Sequence, residues 1–111
     1  MSHPPPNEAL AELSDVLGAD NVKTLVRTFL RDFPISIRDL ETGPRKDQHR
    51  FAHSMKSNAR LMGANDLSHR MAELEERLSG DAGASLKPED VAAIKAEFEA
   101  VAGPLRLFVA E

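Results

Sequence analysis

The sequence predicts an all-α chain, an antiparallel four-helix up-down bundle with a short additional helix at its N-terminus. Three observations carry this reading. Apolar residues recur at steps of three and four along most of the chain, which is the helical period. No useful length alternates apolar and polar residues with period two, and β-branched residues are scattered. Glycine and proline divide the chain into five helical stretches joined by short connections, which favours antiparallel neighbours.

The first helix is expected from about Asn7 to Leu17. Asn7 caps it, and Gly18 ends it in the left-handed conformation that glycine permits. Leu10, Leu13, Val16 and Leu17 form its apolar face. The second runs from about Asp20 to Glu41, capped by Asp20 or Asn21, with Val22, Leu25, Val26, Phe29, Phe33, Ile37 and Leu40 as its stripe. Pro34 removes one backbone donor, but the apolar period continues in phase across it, so a kink is expected and not a break. Thr42-Gly43-Pro44 makes the next turn, with Pro44 suited to the first helical position. The third helix then runs to about Met62, with Ala52, Met55, Ala59 and Met62 on its inner edge, and Gly63 ends it. The fourth spans Asp66 to Leu78, with Asn65 as cap and Leu67, Met71, Leu74 and Leu78 inward. Ser79 to Leu86 reads as a small-residue loop. The fifth starts at Pro88, with Glu89 and Asp90 in the first turn, where the helix dipole favours acids. Val91, Ile94, Phe98, Val101, Leu105 and Phe108 continue it, and a bend is expected at Gly103-Pro104.

At 111 residues and 41% hydrophobic, the chain suits one domain with a real core, over residues 7–111, behind a disordered Pro-rich leader at 1–6. Cysteine is absent, which excludes both a disulfide framework and a thiolate zinc site. With no Trp or Tyr and five Phe there is little material for stacking bases, and the net charge of −4 argues against nonspecific nucleic-acid binding. No apolar run approaches the roughly 18 residues of a membrane span, and Met1 to Pro6 lacks the features of a signal peptide. The expectation is a soluble, cytoplasmic protein with no membrane association. Met1 and the Pro-rich leader suggest a free-standing chain, and the lack of a second long apolar seam suggests a monomer.

The charge is unevenly spread. Residues 44–60 hold five bases, Arg45, Lys46, Arg50, Lys56 and Arg60, against the single acid Asp47, a net +4 that leaves −8 for the rest of a chain totalling −4. A basic stripe on an acidic protein suggests a specific anionic target. On the third helix the polar face carries Lys46, His49 or Arg50, His53, Lys56, Ser57 and Arg60. Neighbours on a helix are three and four apart, so Lys56 and Ser57 lie one turn from His53, and His49 lies one turn to its other side. A neutral imidazole is a nucleophile able to accept a phosphoryl group from an aspartyl phosphate. Lys56 is placed to balance the charge so acquired, and the small Ser57 leaves room for a partner.

The bland readings are plain. Spacing alone makes an exposed histidine an ordinary surface residue and a lysine one turn away a solvated charge. His49 and His53 at i, i+4 also match a metal pair, but no third ligand is evident and no metal is expected. His3 falls in the leader, and His69 reads as structural or exposed. Both GxxxxGK[ST] and GxGxxG are missing, and there is no paired acid–base constellation, so no autonomous kinase or ATP-binding activity is expected.

Ala52-His53-Ser54-Met55-Lys56-Ser57, followed by Leu61-Met62-Gly63-Ala64, resembles the signature of the histidine phosphotransfer (HPt) domains of two-component phosphorelays. That signature reads A-H-x-L-K-G/S, with a Gly-Ala pair ten residues after the histidine. Val16-Leu17-Gly18 leading into Leu25, Phe29, Phe33 and Leu40 resembles the family's first two helices, and Met71, Ala72, Leu74 and Glu75 resemble its A-x-x-L-E helix. The resemblance covers roughly residues 10 to 105. It implies a helical bundle with His53 as phosphoacceptor, Lys56 holding the phosphoryl group, Ser57 admitting the partner's active site, and Gly63 closing the motif helix. It implies receiver domains of response regulators, and hybrid or other histidine kinases, as partners. Docking is expected at His49, Ser57, Arg60, Leu61 and Gly63, completed by an apolar patch from Leu61 and the first helix. The chain needs no cofactor of its own, and Mg2+ is expected on the partner receiver only. Two departures stand out: Ser57 replaces the commoner glycine, and Met55 the commoner leucine, a mild core change. The alternative function is a phosphorylation-independent docking module for a histidine kinase or response regulator. A small-ligand or metal-binding bundle would need inward polar ligands, where the inner faces are apolar.

Overall fold

A computed structural model of the chain describes residues 4–79 and 85–110. Residues 1–3 of the expected leader, His3 included, and 80–84 of the expected loop lie outside the described residues. Within them the chain is entirely helical: α1 Glu8–Leu17, α2 Ala19–Thr42, α3 Arg45–Leu61, α4 Asn65–Ser79 and α5 Pro88–Val109, with no strand among the described residues.

Local chemistry sets most of the boundaries. The Asn7 side chain accepts a hydrogen bond from the Leu10 amide at 2.9 Å and starts α1. Gly18, at φ +88, is the single residue between α1 and α2, and a side chain there would strain the reversal. This short connection overturns the expected cap of α2. The helix starts at Ala19 with Gly18 in the cap position, so Asp20 lies inside its first turn. Asn21 instead donates to the Leu17 carbonyl at 2.7 Å and satisfies the end of α1. Pro44 caps α3 from an extended backbone, one residue before the position expected. Asn65 is the first residue of α4, one later than expected, and the Ala64 carbonyl accepts from the Ser68 amide at 2.9 Å. Pro88 opens α5 as expected, helped by Asp90, which accepts from the Lys87 amide at 2.9 Å. Both α2 and α5 run unbroken through Pro34 and Pro104.

The helices pack as a closed set around one core: α2 on α3 and α5, and α4 on α3 and α5, with α1 resting on α2. The inner edges of α3 and α4 are buried where the period placed them, at Ala52, Met55, Ala59 and Met62, and at Leu67, Met71, Leu74 and Leu78. Phe29, Phe33 and Phe98 close the α2–α5 seam, with Phe33 and Phe98 stacked at 5.2 Å and an interplanar angle of 6°. Phe98 is 3% exposed, so Phe98→Ala is expected to cost about 3–5 kcal/mol. Urea unfolding of the variant and the parent checks this as a fall in midpoint at unchanged slope.

The outer helix departs from its apolar pattern. Of the four residues expected on the inner face of α1, Leu10 is buried and Leu13 partly buried, whereas Val16 is 80% and Leu17 41% exposed. A helix of ten residues lying on the outside of a closed set has one short line of contact, and its last turn overhangs. Leu25 on α2 is likewise at the surface, beside Leu61 and Met62 of α3. The other end of α1 is fastened. The Asn7 side chain donates to the Met62 carbonyl at 2.9 Å and lies where a Cβ on Gly63 would have to go. Gly63 itself holds φ +73, so glycine is required there twice over, for backbone shape and for space.

Candidate functional site

The extensive α3–α4 contact decides what faces His53. The two helices fold back on each other at the tight turn around Gly63. Ser68, buried near the start of α4, donates to the Lys56 carbonyl at 3.3 Å and fixes the register. That register sets Glu75, one face of α4, against the polar face of α3. The Glu75 side chain is 15% exposed, and its two carboxylate oxygens are shared out. Oε1 accepts from Lys56 Nζ at 2.5 Å. Oε2 lies 2.6 Å from His53 Nδ1, and His49 Nε2 stands back from the same oxygen at 3.7 Å.

The charge state of Glu75 sets the state of the ring. Its carboxyl is held below the usual carboxylate range, first by the hydrogen bond from Lys56 and then by that from His53, against the cost of burial. An ionised carboxylate only accepts hydrogen bonds, so His53 must donate from Nδ1. That contact places a ring proton on Nδ1, and in the neutral ring Nε2 is then the nitrogen with the lone pair. The His53 side chain is 59% exposed, which leaves that lone pair open to an approaching molecule. Lys56, 27% exposed, is held on the other oxygen of the same carboxylate. The arrangement is therefore an exposed imidazole held at Nδ1 by a carboxylate, with a lysine on that carboxylate's other oxygen.

The other expected site residues divide. Ser57, Arg60 and Leu61 line one groove of about 510 Å³ with Leu13 and Val16 of α1, so the overhanging turn of α1 and the end of α3 make a joint surface. Leu61 is 48% exposed there. Gly63 does not line this groove, and His49 turns toward Glu75. Within the basic stripe, Arg50 pairs with Asp47 at 3.3 Å and lies over the Phe51 ring, so part of that charge is spent locally. A groove of about 660 Å³ between α4 and α5 does not include His53. No group of three or more His, Cys, Asp or Glu able to hold a metal occurs among the described residues.

Sequence reading placed Glu75 in a motif and gave it no role. The signal that finds it is the register of the turn: His53 lies ten residues before Gly63 and Glu75 twelve after, so two helices folding back there bring them opposite each other.

Comparison with known proteins bears on the chain's family. The Hpt domain model matches residues 7–103, from the cap of α1 into the last turns of α5. No curated protein and no solved structure matches the chain. Domains of this family take part in histidine phosphotransfer in two-component systems and interact with receiver domains and kinases. With nearly the whole helical set inside the match, the chain belongs to the Hpt domain family.

Proposed function

We propose that this protein is a phosphorelay intermediate that accepts a phosphoryl group on His53 Nε2 and passes it on. The observation that carries this reading is the fixed tautomer: ionised Glu75 binds Nδ1 and leaves Nε2 as the lone-pair nitrogen of an exposed ring. In the transfer, the Nε2 lone pair forms a bond to the phosphorus of an aspartyl phosphate on a receiver. The bond from phosphorus to the aspartyl oxygen breaks, and its electron pair leaves with the receiver's carboxylate. The ring becomes positively charged with its Nδ1 proton still directed at Glu75, so a charge that develops during the reaction meets an anion already in place. Lys56 balances the phosphoryl oxygens. The reverse step returns the group to another receiver. Any metal that assists belongs to the receiver, and catalysis is otherwise positioning and electrostatics.

The groove of Leu13, Val16, Ser57, Arg60 and Leu61 is the proposed docking face, one turn along α3 from the nucleophile. It combines the exposed apolar side chains of Val16 and Leu61 with Arg60 and Glu12 at its edges, an apolar patch with charged flanks as docking surfaces have. Leu61→Asp is expected to weaken receiver binding at least tenfold, because the new carboxylate would have to be buried at the interface. Since Leu61 is half exposed in the free protein, its unfolding midpoint should barely move. Titration calorimetry with a receiver, beside thermal unfolding, checks both halves. We further infer that α2 to α5 run alternately up and down, supported by the pairing of Arg27 with Val109 and of Phe33 with Phe98 across the α2–α5 seam. Residues 7–111 are proposed to work as one monomeric domain, in the cytoplasm as is usual for the family.

The test is to mix the protein with a phosphorylated receiver and follow phosphate that is labile to acid and stable to alkali. Uptake supports the relay reading. Binding without uptake across several receivers would leave the docking-module reading in its place.

A further inference from the structure

Glu75 has two oxygens and three nitrogen donors around it. Lys56 and His53 hold one oxygen each, at 2.5 and 2.6 Å. His49 Nε2 waits at 3.7 Å from Oε2, beyond a hydrogen bond and about 0.7 Å short of one. His49 stands one turn from His53 on α3, and its side chain is 45% exposed, so it has room to move.

With His53 as the proposed carrier, phosphorylation changes the balance at this carboxylate. A phosphoryl group brings one and a half to two negative charges, roughly, beside Lys56. The ammonium is drawn toward it and away from Oε1. Glu75, 15% exposed, is then a mostly buried anion that has lost its strongest partner and gained an anionic neighbour. Leaving it uncompensated is costly, and the carboxylate would turn from His53 toward water. Among the described residues, His49 is the one remaining donor already directed at Glu75.

We infer, on the reading that His53 carries the group, that His49 is a positioning residue of the phosphorylated state: its Nε2–H closes on Glu75 as Lys56 moves to the phosphoryl group. The exchange keeps Glu75 satisfied and aimed at His53 Nδ1, which in turn keeps the phosphorylated ring stabilised from behind. Lys56 then serves the resting site and the loaded site in turn, while His49 joins His53 on Oε2 and Oε1 is left to water.

Phosphoramidate supplies the test because it loads histidine without a partner protein. Nε2 forms a bond to phosphorus, the phosphorus–nitrogen bond of the reagent breaks, and ammonia leaves with a proton from water. With imidazole nitrogens labelled with 15N, loading should shift the His49 Nε2 signal and reveal a hydrogen-bonded proton on it that the resting protein lacks. The half-life of the loaded protein should fall about tenfold in His49→Leu, the loss expected for one hydrogen bond to a charged group. His49→Gln, whose amide nitrogen reaches the place of Nε2, should restore most of it. A His49 signal unmoved by loading, or a His49→Leu half-life equal to wild type, would overturn the inference. If His49→Leu does not fold, the wild-type spectrum decides alone. A wild type that takes up no phosphoryl group overturns the carrier reading itself, whereas uptake with an unmoved His49 overturns only the role of His49.

Discussion

His53→Gln is expected to abolish phosphoryl uptake and leave fold and receiver binding close to wild type. The side chain is 59% exposed, so its removal opens no cavity in the core. The amide of glutamine is not a nucleophile, and the neighbouring imidazole, His49, is directed at Glu75 by its Nε2. Rate loss should therefore reach the detection limit and not a residual plateau. The docking groove does not include His53, so calorimetric affinity for a receiver should stay within about threefold, since an exposed contact at an interface rim contributes little. Radiolabel transfer and titration on the same preparation separate the two effects. Lost transfer with retained binding distinguishes a carrier from a docking module, in which the substitution would be silent.

Glu75→Ala should slow transfer about a hundredfold, the lower end of what a positioned proton-handling group contributes. Three things go at once. The Nδ1 proton is no longer held, so the ring divides between tautomers and Nε2 carries a hydrogen part of the time. The positive ring formed in the reaction loses its counter-charge. Lys56, released from Oε1, no longer has a fixed place. Glu75→Gln should fall between, because it keeps an acceptor without the charge. Single-turnover transfer from a phosphorylated receiver measures all three proteins. The same carboxylate gives the acid side of the stability profile. Its folded value lies below the ordinary one of about 4.3, so its contribution is complete above that pH and is lost as pH falls through the lower folded value. In Glu75→Ala that part of the acid dependence should disappear, read as a flatter plot of unfolding free energy against pH below about 4.3.

How much of the site was legible in the sequence depends on whether one helix or two were involved. His53, Lys56 and Ser57 sit within five consecutive positions of α3, where i, i+3 and i+4 geometry dictates that they share a face. That Pro34 would not break α2 was legible for a similar reason: the apolar period holds its phase through it, so one missing backbone bond could not outweigh seven stripe positions. Glu75 belongs to another helix, and only the tertiary register set by the Gly63 turn joins it to His53. The outward turn of Val16 and Leu17 was hidden for a different cause. Periodicity reports which residues share a face, and not whether anything covers that face; among the described residues nothing buries Val16 or Leu17. The caps of α2 and α4 shifted by one to three residues because a cap contributes only about 1 kcal/mol, less than the packing that fixes connection length. Of Val16 and Leu17, Val16 lines the groove that the docking proposal uses.

The central claim is that His53 carries phosphorus on Nε2 while Glu75 holds the other nitrogen. It is tested most directly by 15N and 31P spectroscopy of protein loaded from a phosphorylated receiver. The account predicts a single phosphorus coupled to His53 Nε2, with Nδ1 still protonated and hydrogen-bonded. Phosphorus on Nδ1, on another residue, or absent from the chain would contradict it.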